Sequence, residues 1–123
     1  YAYSKALEWA DADRLFTKRA GFALMAYLSL KSSQLTDEQY GPFMDLIKKH
    51  ANDDRNLVKK AISWALRQIG KRNANLHAEA VQLSQGLLEF NNKEAKWIGR
   101  DALKELDKPE LKSRLTAKGA GND

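Results

Sequence analysis

The residues in this sequence with the clearest capacity for chemistry are cations grouped around a tryptophan. Trp64 lies in the stretch from Asn52 to Arg72, with Lys60 and Arg67 about one helical turn away on either side. An aromatic ring among cations can lie against a sugar, a base or a phosphate backbone. The grouping therefore indicates a surface that binds an anionic partner, although packing against another helix is the alternative role for Trp64.

The overall charge favours the same kind of partner. Twenty-one Lys and Arg residues against sixteen Asp and Glu residues give a net charge of +5. The cations gather in the pairs Lys18-Arg19, Lys48-Lys49, Lys59-Lys60 and Lys71-Arg72. A single pair would be an ordinary solvated helix face, but their recurrence at equivalent positions favours a shared role.

Other kinds of chemistry find little support. No serine has a G-x-S-x-G setting, and the sequence has no glycine-rich phosphate loop and no cysteine. His50 and His77 are 27 residues apart on different predicted helices, so we expect no metal and no cofactor. The four carboxylates that stand at predicted helix starts are expected to cap those helices, and they are Asp11, Asp13, Asp53 and Asp54.

An amphipathic helix over residues 54–70 positions Trp64 and the central cations. Its apolar residues recur at steps of three and four, and they are Leu57, Val58, Ala61, Ile62, Ala65, Leu66 and Ile69. The string Asp13–Ala20 matches Asp54–Ala61 at an offset of 41 residues, and Ala102-Leu103 follows Ala65-Leu66 by 37 residues. Periods near 40 in a helical chain are typical of HEAT-like or armadillo-like repeats.

The whole chain is predicted to be all-α. The predicted helices cover residues 3–10, 14–30, 37–51, 54–70, 75–89 and 92–106, and a last short helix runs from Pro109 to about Leu115. We expect three helix pairs and a short C-terminal helix in one domain, 1–115, that forms a right-handed α-α superhelix, followed by a flexible tail, 116–123. No apolar run approaches the roughly 20 residues needed to cross a bilayer, and the expected location is cytoplasmic.

Details of these helices can be predicted as well. Thr36 and Gln39 form a capping-box pattern, and Pro42 suits a first helical turn. Asn73 or Asn75, and then Asn91 or Asn92, are expected to begin the two helices that follow the central one. Residues 31–35 form a polar connector. In the helix 14–30 the residues expected on or near one apolar face are Leu15, Phe16, Ala20, Ala23, Leu24, Tyr27 and Leu28.

The central motif resembles that of a known family. The string Val58–Arg67, followed by Gly70–Asn73, is similar to the hallmark helix of the DNA alkylation repair family, whose AlkD-like members are DNA glycosylases built from HEAT-like repeats. The strings Trp9–Asp13 and Lys18–Ala20 resemble the preceding repeat of that family. The resemblance covers residues 1–106.

The resemblance implies a function and a set of contacts. Members of the family hydrolyse the N-glycosidic bond of cationic alkylated purines, such as 3-methyladenine and 7-methylguanine, in double-stranded DNA held on a basic concave face. By position, Arg19 resembles the family's DNA-facing arginine and Trp64 its DNA-facing tryptophan. With the neighbouring cations, the predicted DNA-binding residues are Lys18, Arg19, Lys59, Lys60, Trp64 and Arg67.

The family's catalytic aspartate belongs to a W-x-x-x-D motif, which Trp9 and Asp13 match in spacing. Arg19 follows them as in the family's next repeat, so we interpret the pair as a structural look-alike and expect the catalytic motif upstream of Tyr1. Within the chain, Asp13 remains a candidate for the catalytic aspartate. The chain alone is therefore expected not to excise 7-methylguanine.

Two other functions fit the same residues. A helical-repeat scaffold without enzymatic activity could bind nucleic acid or an acidic protein through the basic pairs. A helix-turn-helix transcription factor fits less well, because most of the predicted helices have 15 or more residues.

Overall fold

The computed structural model describes residues 1–31 and 34–121. These residues form seven α-helices and one 3-10 turn, and they contain no strand. The helices are α1 (Ala2–Ala10), α2 (Leu15–Lys31), α3 (Gly41–His50), α4 (Asn56–Gly70), α5 (Ala74–Leu88), α6 (Lys93–Leu106) and α7 (Pro109–Gly121), with the 3-10 turn at Asp37–Tyr40. Ser32 and Ser33 of the predicted connector, and Asn122 and Asp123 of the predicted tail, lie outside the described residues.

Side-chain caps begin the helices that the sequence marks with capping residues. Thr36 and Gln39 form the predicted capping box, in which the Thr36 backbone N–H donates to Gln39 Oε1 at 2.8 Å. Pro42 lies in the first turn of α3, directly after the 3-10 turn. The side chains of Asn73 and Asn92 each accept a hydrogen bond of 2.8 Å from the backbone N–H three residues on. Four sequence-level start signals therefore act as the pattern predicts.

The helices are arranged as stacked pairs. Helices α2, α4 and α6 pack side by side, with α4 in the middle, while α1 packs on α2 and α5 packs on α6. Helix α3 contacts both α1 and α5, so the first helices of the pairs form a second layer. This arrangement confirms the predicted all-α helical-repeat fold, and the right-handed superhelical sense stays a prediction.

Helix α4 supplies much of the core, because it packs against α2, α5 and α6. Its buried apolar residues are Val58, Ala61, Ile62, Ala65, Leu66 and Ile69. The predicted apolar stripe is thus confirmed with one exception. Leu57, in the first turn of α4, is 41% exposed.

Helix α2 differs more from the prediction. Its buried residues include Phe22, Met25 and Ala26, whereas Phe16 is 67% exposed and Tyr27 is 56% exposed. Phe16 and Tyr27 are eleven residues apart, or about three turns, and so share one side of the helix. Helices α1 and α4 cover the other sides. Ala20 is exposed as well, so the prediction that Phe16, Ala20 and Tyr27 lie on the apolar face is wrong.

Close contact between α1 and α2 depends on Gly21. A methyl group at this position would overlap the backbone nitrogen of Ala10. Only glycine lets the two backbones approach this closely, which fixes the crossing of the first helix pair.

The C-terminal helix is longer than predicted. It begins at Pro109 as expected but continues to Gly121 rather than ending near Leu115. Leu115 is buried, so the helix has an apolar anchor at the point where the sequence becomes small and polar. None of the helices among the described residues is long and apolar enough to cross a membrane.

Candidate nucleic-acid interface

Two of the predicted DNA-binding cations are exposed on neighbouring helices. Arg19 lies on α2 and Lys60 on α4, and both side chains belong to exposed residues. Neither forms an ion pair with another described residue. Because α2 and α4 pack side by side, these two charges can act on one ligand.

An aromatic pair connects the same two helices. The rings of Tyr27 and Trp64 meet edge to face, with centroids 6.2 Å apart and an interplanar angle of 76°. Trp64 is half-buried and follows Lys60 by one helical turn, while Tyr27 follows Arg19 by eight residues, about two turns, and both of these residues of α2 are exposed. We call Arg19, Tyr27, Lys60 and Trp64 the aromatic–basic surface.

Lys18 is not part of this surface. It is 5% exposed, and its Nζ donates to Asp53 Oδ2 at 2.9 Å. Asp53 also accepts from the Arg55 guanidinium, at 2.7 and 3.0 Å, and from the Arg55 backbone N–H at 3.0 Å. Arg55 above all, and then Lys18, hold the pKa of the Asp53 carboxyl well below its usual range. The Lys18 charge is therefore already neutralised inside the protein.

Asp13, the candidate catalytic residue, lies at an exposed corner. Its backbone carbonyl accepts a hydrogen bond of 2.9 Å from Arg55 Nη1. Trp9 is on α1, which ends at Ala10, so Trp9 and Asp13 do not share a helix despite their W-x-x-x-D spacing. This geometry differs from a catalytic pair that projects from one helix.

Arg67 and Lys59 are engaged between α4 and α6. Three contacts join residues of α4 to residues of α6 at four-residue steps, and all three join residues 38 apart in sequence. They are Lys59 Nζ over the Trp97 ring at 4.6 Å, Ser63 Oγ to Asp101 Oδ2 at 2.6 Å, and Arg67 Nη1 to Glu105 Oε2 at 3.0 Å. We call this set the α4–α6 ladder. It uses Arg67 and Lys59 to hold helices together.

Two of the four carboxylates expected to cap helices, Asp11 and Asp53, serve other roles. Residue Arg55 precedes α4, and no side chain caps that helix. Asp53 binds cations instead, and Asp11 follows the end of α1, where it accepts hydrogen bonds from Lys49 at 2.9 Å and His50 at 2.8 Å. The capping prediction is wrong for these two residues, because other side chains bind them. Asp53 is bound by neighbouring Arg55 and by Lys18 of the preceding helix pair, and Asp11 is bound by two residues of α3.

Neither histidine is arranged as a metal ligand. His50 binds Asp11, and His77 Nε2 lies 2.7 Å from the carbonyl oxygen of Leu106. Within the described part of the chain no three His, Asp or Glu side chains are close enough to hold a metal ion.

Tyr27 is the member of the aromatic–basic surface that sequence reasoning missed. The sequence pattern predicts Tyr27 on the apolar face of α2, because the helix is rich in apolar residues on several sides. The signal that could have identified it is angular. Tyr27 lies about 20° around the helix from exposed Phe16, and about 100° or more from the buried residues Phe22, Met25 and Ala26.

These features define an all-α repeat protein whose second helices carry a basic and aromatic surface. The sequence model of the family described as DNA alkylation repair enzyme matches residues 2–106, so the chain belongs to this family. Membership points to a role in DNA alkylation repair. Searches of curated proteins and of solved structures found no match.

Proposed function

We propose that this chain is the DNA-binding part of a DNA alkylation repair glycosylase. Such an enzyme excises cationic alkylated purines of the 3-methyladenine or 7-methylguanine type by hydrolysing the N-glycosidic bond. The observation that carries the proposal is the aromatic–basic surface, in a chain that belongs to the DNA alkylation repair family.

The surface suits a duplex rather than a small molecule. Arg19 and Lys60 present unpaired charges from two parallel neighbours, which matches the repeated charges of a phosphate backbone. Tyr27 and Trp64 offer aromatic edges that can contact deoxyribose between phosphates. Contacts of this kind position a duplex without reading its sequence, as a repair protein that surveys DNA requires.

The bond cleavage itself requires a carboxylate beside the sugar, where positive charge develops as the C1′–N bond breaks. A cationic purine leaves readily, so little general-acid help is needed. Asp13 is poorly suited to this role, because Arg55 binds the backbone of its corner and Trp9 lies on a separate helix. We therefore assign DNA binding, and not the catalytic carboxylate, to these residues.

Duplex affinity measured by fluorescence anisotropy across a salt series tests this proposal. Replacing Lys60 with Ala should flatten the log–log salt dependence by about one unit, because one phosphate contact is lost. Replacing Trp64 with Ala should weaken binding with the salt slope unchanged, since an indole carries no charge. Two duplexes of unrelated sequence should behave alike.

The matched control is Lys48→Ala, which removes an exposed lysine from α3 in the other layer of helices. It should change the slope less than Lys60→Ala does. Equal effects of the two substitutions would show that binding depends on net charge alone, and the proposed surface would be wrong.

A further inference from the structure

A cationic cavity lies where α2 and α4 end. It has a volume of about 420 Å³, and the side chains of Lys71, Arg72 and Arg114 line it together with Ser29 and Leu30. Lys71 and Arg72 directly follow α4, Ser29 is in the last turn of α2, and Arg114 belongs to α7. The described residues that line this cavity include no carboxylate.

Both guanidinium groups in the cavity make only long hydrogen bonds, and that of Arg72 also lies over the Tyr40 ring, 5.4 Å from its centroid. Arg72 Nη1 donates to the Ser29 carbonyl at 3.4 Å, and Arg114 Nη2 donates to the Lys71 carbonyl at 3.5 Å. These distances are at the long end of the hydrogen-bond range. A guanidinium has five N–H groups, so each side chain has donors left for a ligand.

The negative C-terminal ends of the nearby helices do not neutralise all of the positive charge around this cavity. The C-termini of α2 and α4 each carry a partial negative charge of about half a unit, which attracts cations. Lys71 is also paired with Glu105, from the side of α6. With these counted, three cations around one cavity still exceed the nearby negative charge by about one unit.

We propose that this cavity binds a phosphoryl group, and that its source is a backbone phosphate of duplex DNA. The choice of DNA as the source of this phosphate rests on the proposed function. Arg19 and Lys60 precede Leu30 and Lys71 by eleven residues each, which corresponds to about 16 Å along the helices. The cavity would therefore hold a different phosphate from those at the aromatic–basic surface. Arg72 and Arg114 supply planar donors suited to a tetrahedral oxyanion.

Duplex-binding measurements on variants of the cavity-lining residues test whether the bound phosphate belongs to DNA. Arg114→Gln should weaken duplex binding by about tenfold and flatten the salt slope by about one unit. The matched control is Lys112→Gln, which removes an exposed lysine from the same helix. If Arg114→Gln and Arg72→Gln both keep the parental salt slope while Arg19→Ala binds the duplex less well, the cavity does not take part in DNA binding. The proposed function would remain intact in that case.

A second measurement tests the cavity independently of DNA. Inorganic phosphate titrated into the ¹⁵N-labelled chain should shift the arginine Nε–H resonances of Arg72 and Arg114 saturably, and the Arg72→Gln variant should lose the shift at Arg114. Saturable phosphate binding without any duplex binding would support the cavity and contradict the proposed function. Absence of a shift with both phosphate and duplex would overturn the phosphoryl site.

Discussion

Adjacent residues of one basic pair have opposite environments. Lys18 is buried against Asp53, while Arg19, one residue on, is exposed. Successive helical residues point about 100° apart, so only one of the pair can face a neighbouring repeat while the other faces solvent. At the residue scale, the position on the helix decides what a cation does.

Asp53 should matter more to stability than its partner Lys18. The substitution Asp53→Asn would leave the Lys18 ammonium buried without a counter-charge, and it should lower the free energy of unfolding by about 3 kcal/mol. Lys18→Met leaves Asp53 bound by Arg55 and keeps an apolar stem, so its cost should be about 1 kcal/mol or less. Urea denaturation measures both values, with exposed Asp54→Asn as the control. Equal losses for the two variants would contradict the asymmetry.

The same carboxylate should make stability depend on pH. The pKa of Asp53 is lowered in the folded chain, chiefly by Arg55, and the pKa values of Asp11 and Glu105 are lowered as well. Because the folded pKa lies below the unfolded value of about 3.9, the stabilisation is complete above about pH 4 and is lost as the pH falls further. Unfolding free energies measured below about pH 4 should decline less steeply in Asp53→Asn than in the parent. An unchanged decline would show that Asp53 does not contribute.

At the element scale, two adjoining helix contacts use different chemistry. Helices α4 and α6 are joined by the polar α4–α6 ladder, whereas α2 and α4 are joined by the Tyr27–Trp64 aromatic pair. The repeated basic pairs at 18–19 and 59–60 therefore have related positions but unlike partners.

Loss of a ladder contact should affect folding. Arg67→Ala removes an ion pair whose side chains are 28% and 26% exposed, and it should lower the free energy of unfolding by about 1 kcal/mol. Glu105 keeps Lys71 as a partner, which limits the loss. Thermal and urea unfolding followed by circular dichroism measure the effect, and Lys60→Ala should leave stability unchanged. A destabilised Lys60→Ala with an unaffected Arg67→Ala would reverse these assignments.

Local patterns predicted the helices well because their signals are local. The capping box at Thr36, the caps at Asn73 and Asn92, and the apolar stripe of α4 depend on residues a few positions apart. The sequence could not predict which cations are paired and which are exposed. The partner of Lys18 is 35 residues away and that of Arg67 is 38 residues away. Such pairs depend on how the repeats stack, which a periodicity of about 40 residues gives only coarsely.

At the scale of the whole molecule, stacking divides the cations into two groups. Lys18, Lys59 and Arg67 stabilise contacts between repeats, while Arg19 and Lys60 remain exposed beside the Tyr27–Trp64 pair. The sequence prediction places all five cations in one DNA-binding set, and the family resemblance singles out Arg19 among them. Of these five cations, we propose Arg19 and Lys60 for direct phosphate contact, because they are exposed and form no ion pair with another described residue.

The most direct test of this account compares two arginines, Arg19 and Arg67, in the same duplex-binding assay. Arg19→Ala should flatten the log–log salt slope by about one unit, because its exposed guanidinium contacts a phosphate. Arg67→Ala, measured at a temperature where it is fully folded, should keep the parental slope, because its charge is paired with Glu105. A parental slope for Arg19→Ala together with a flattened slope for Arg67→Ala would contradict the account.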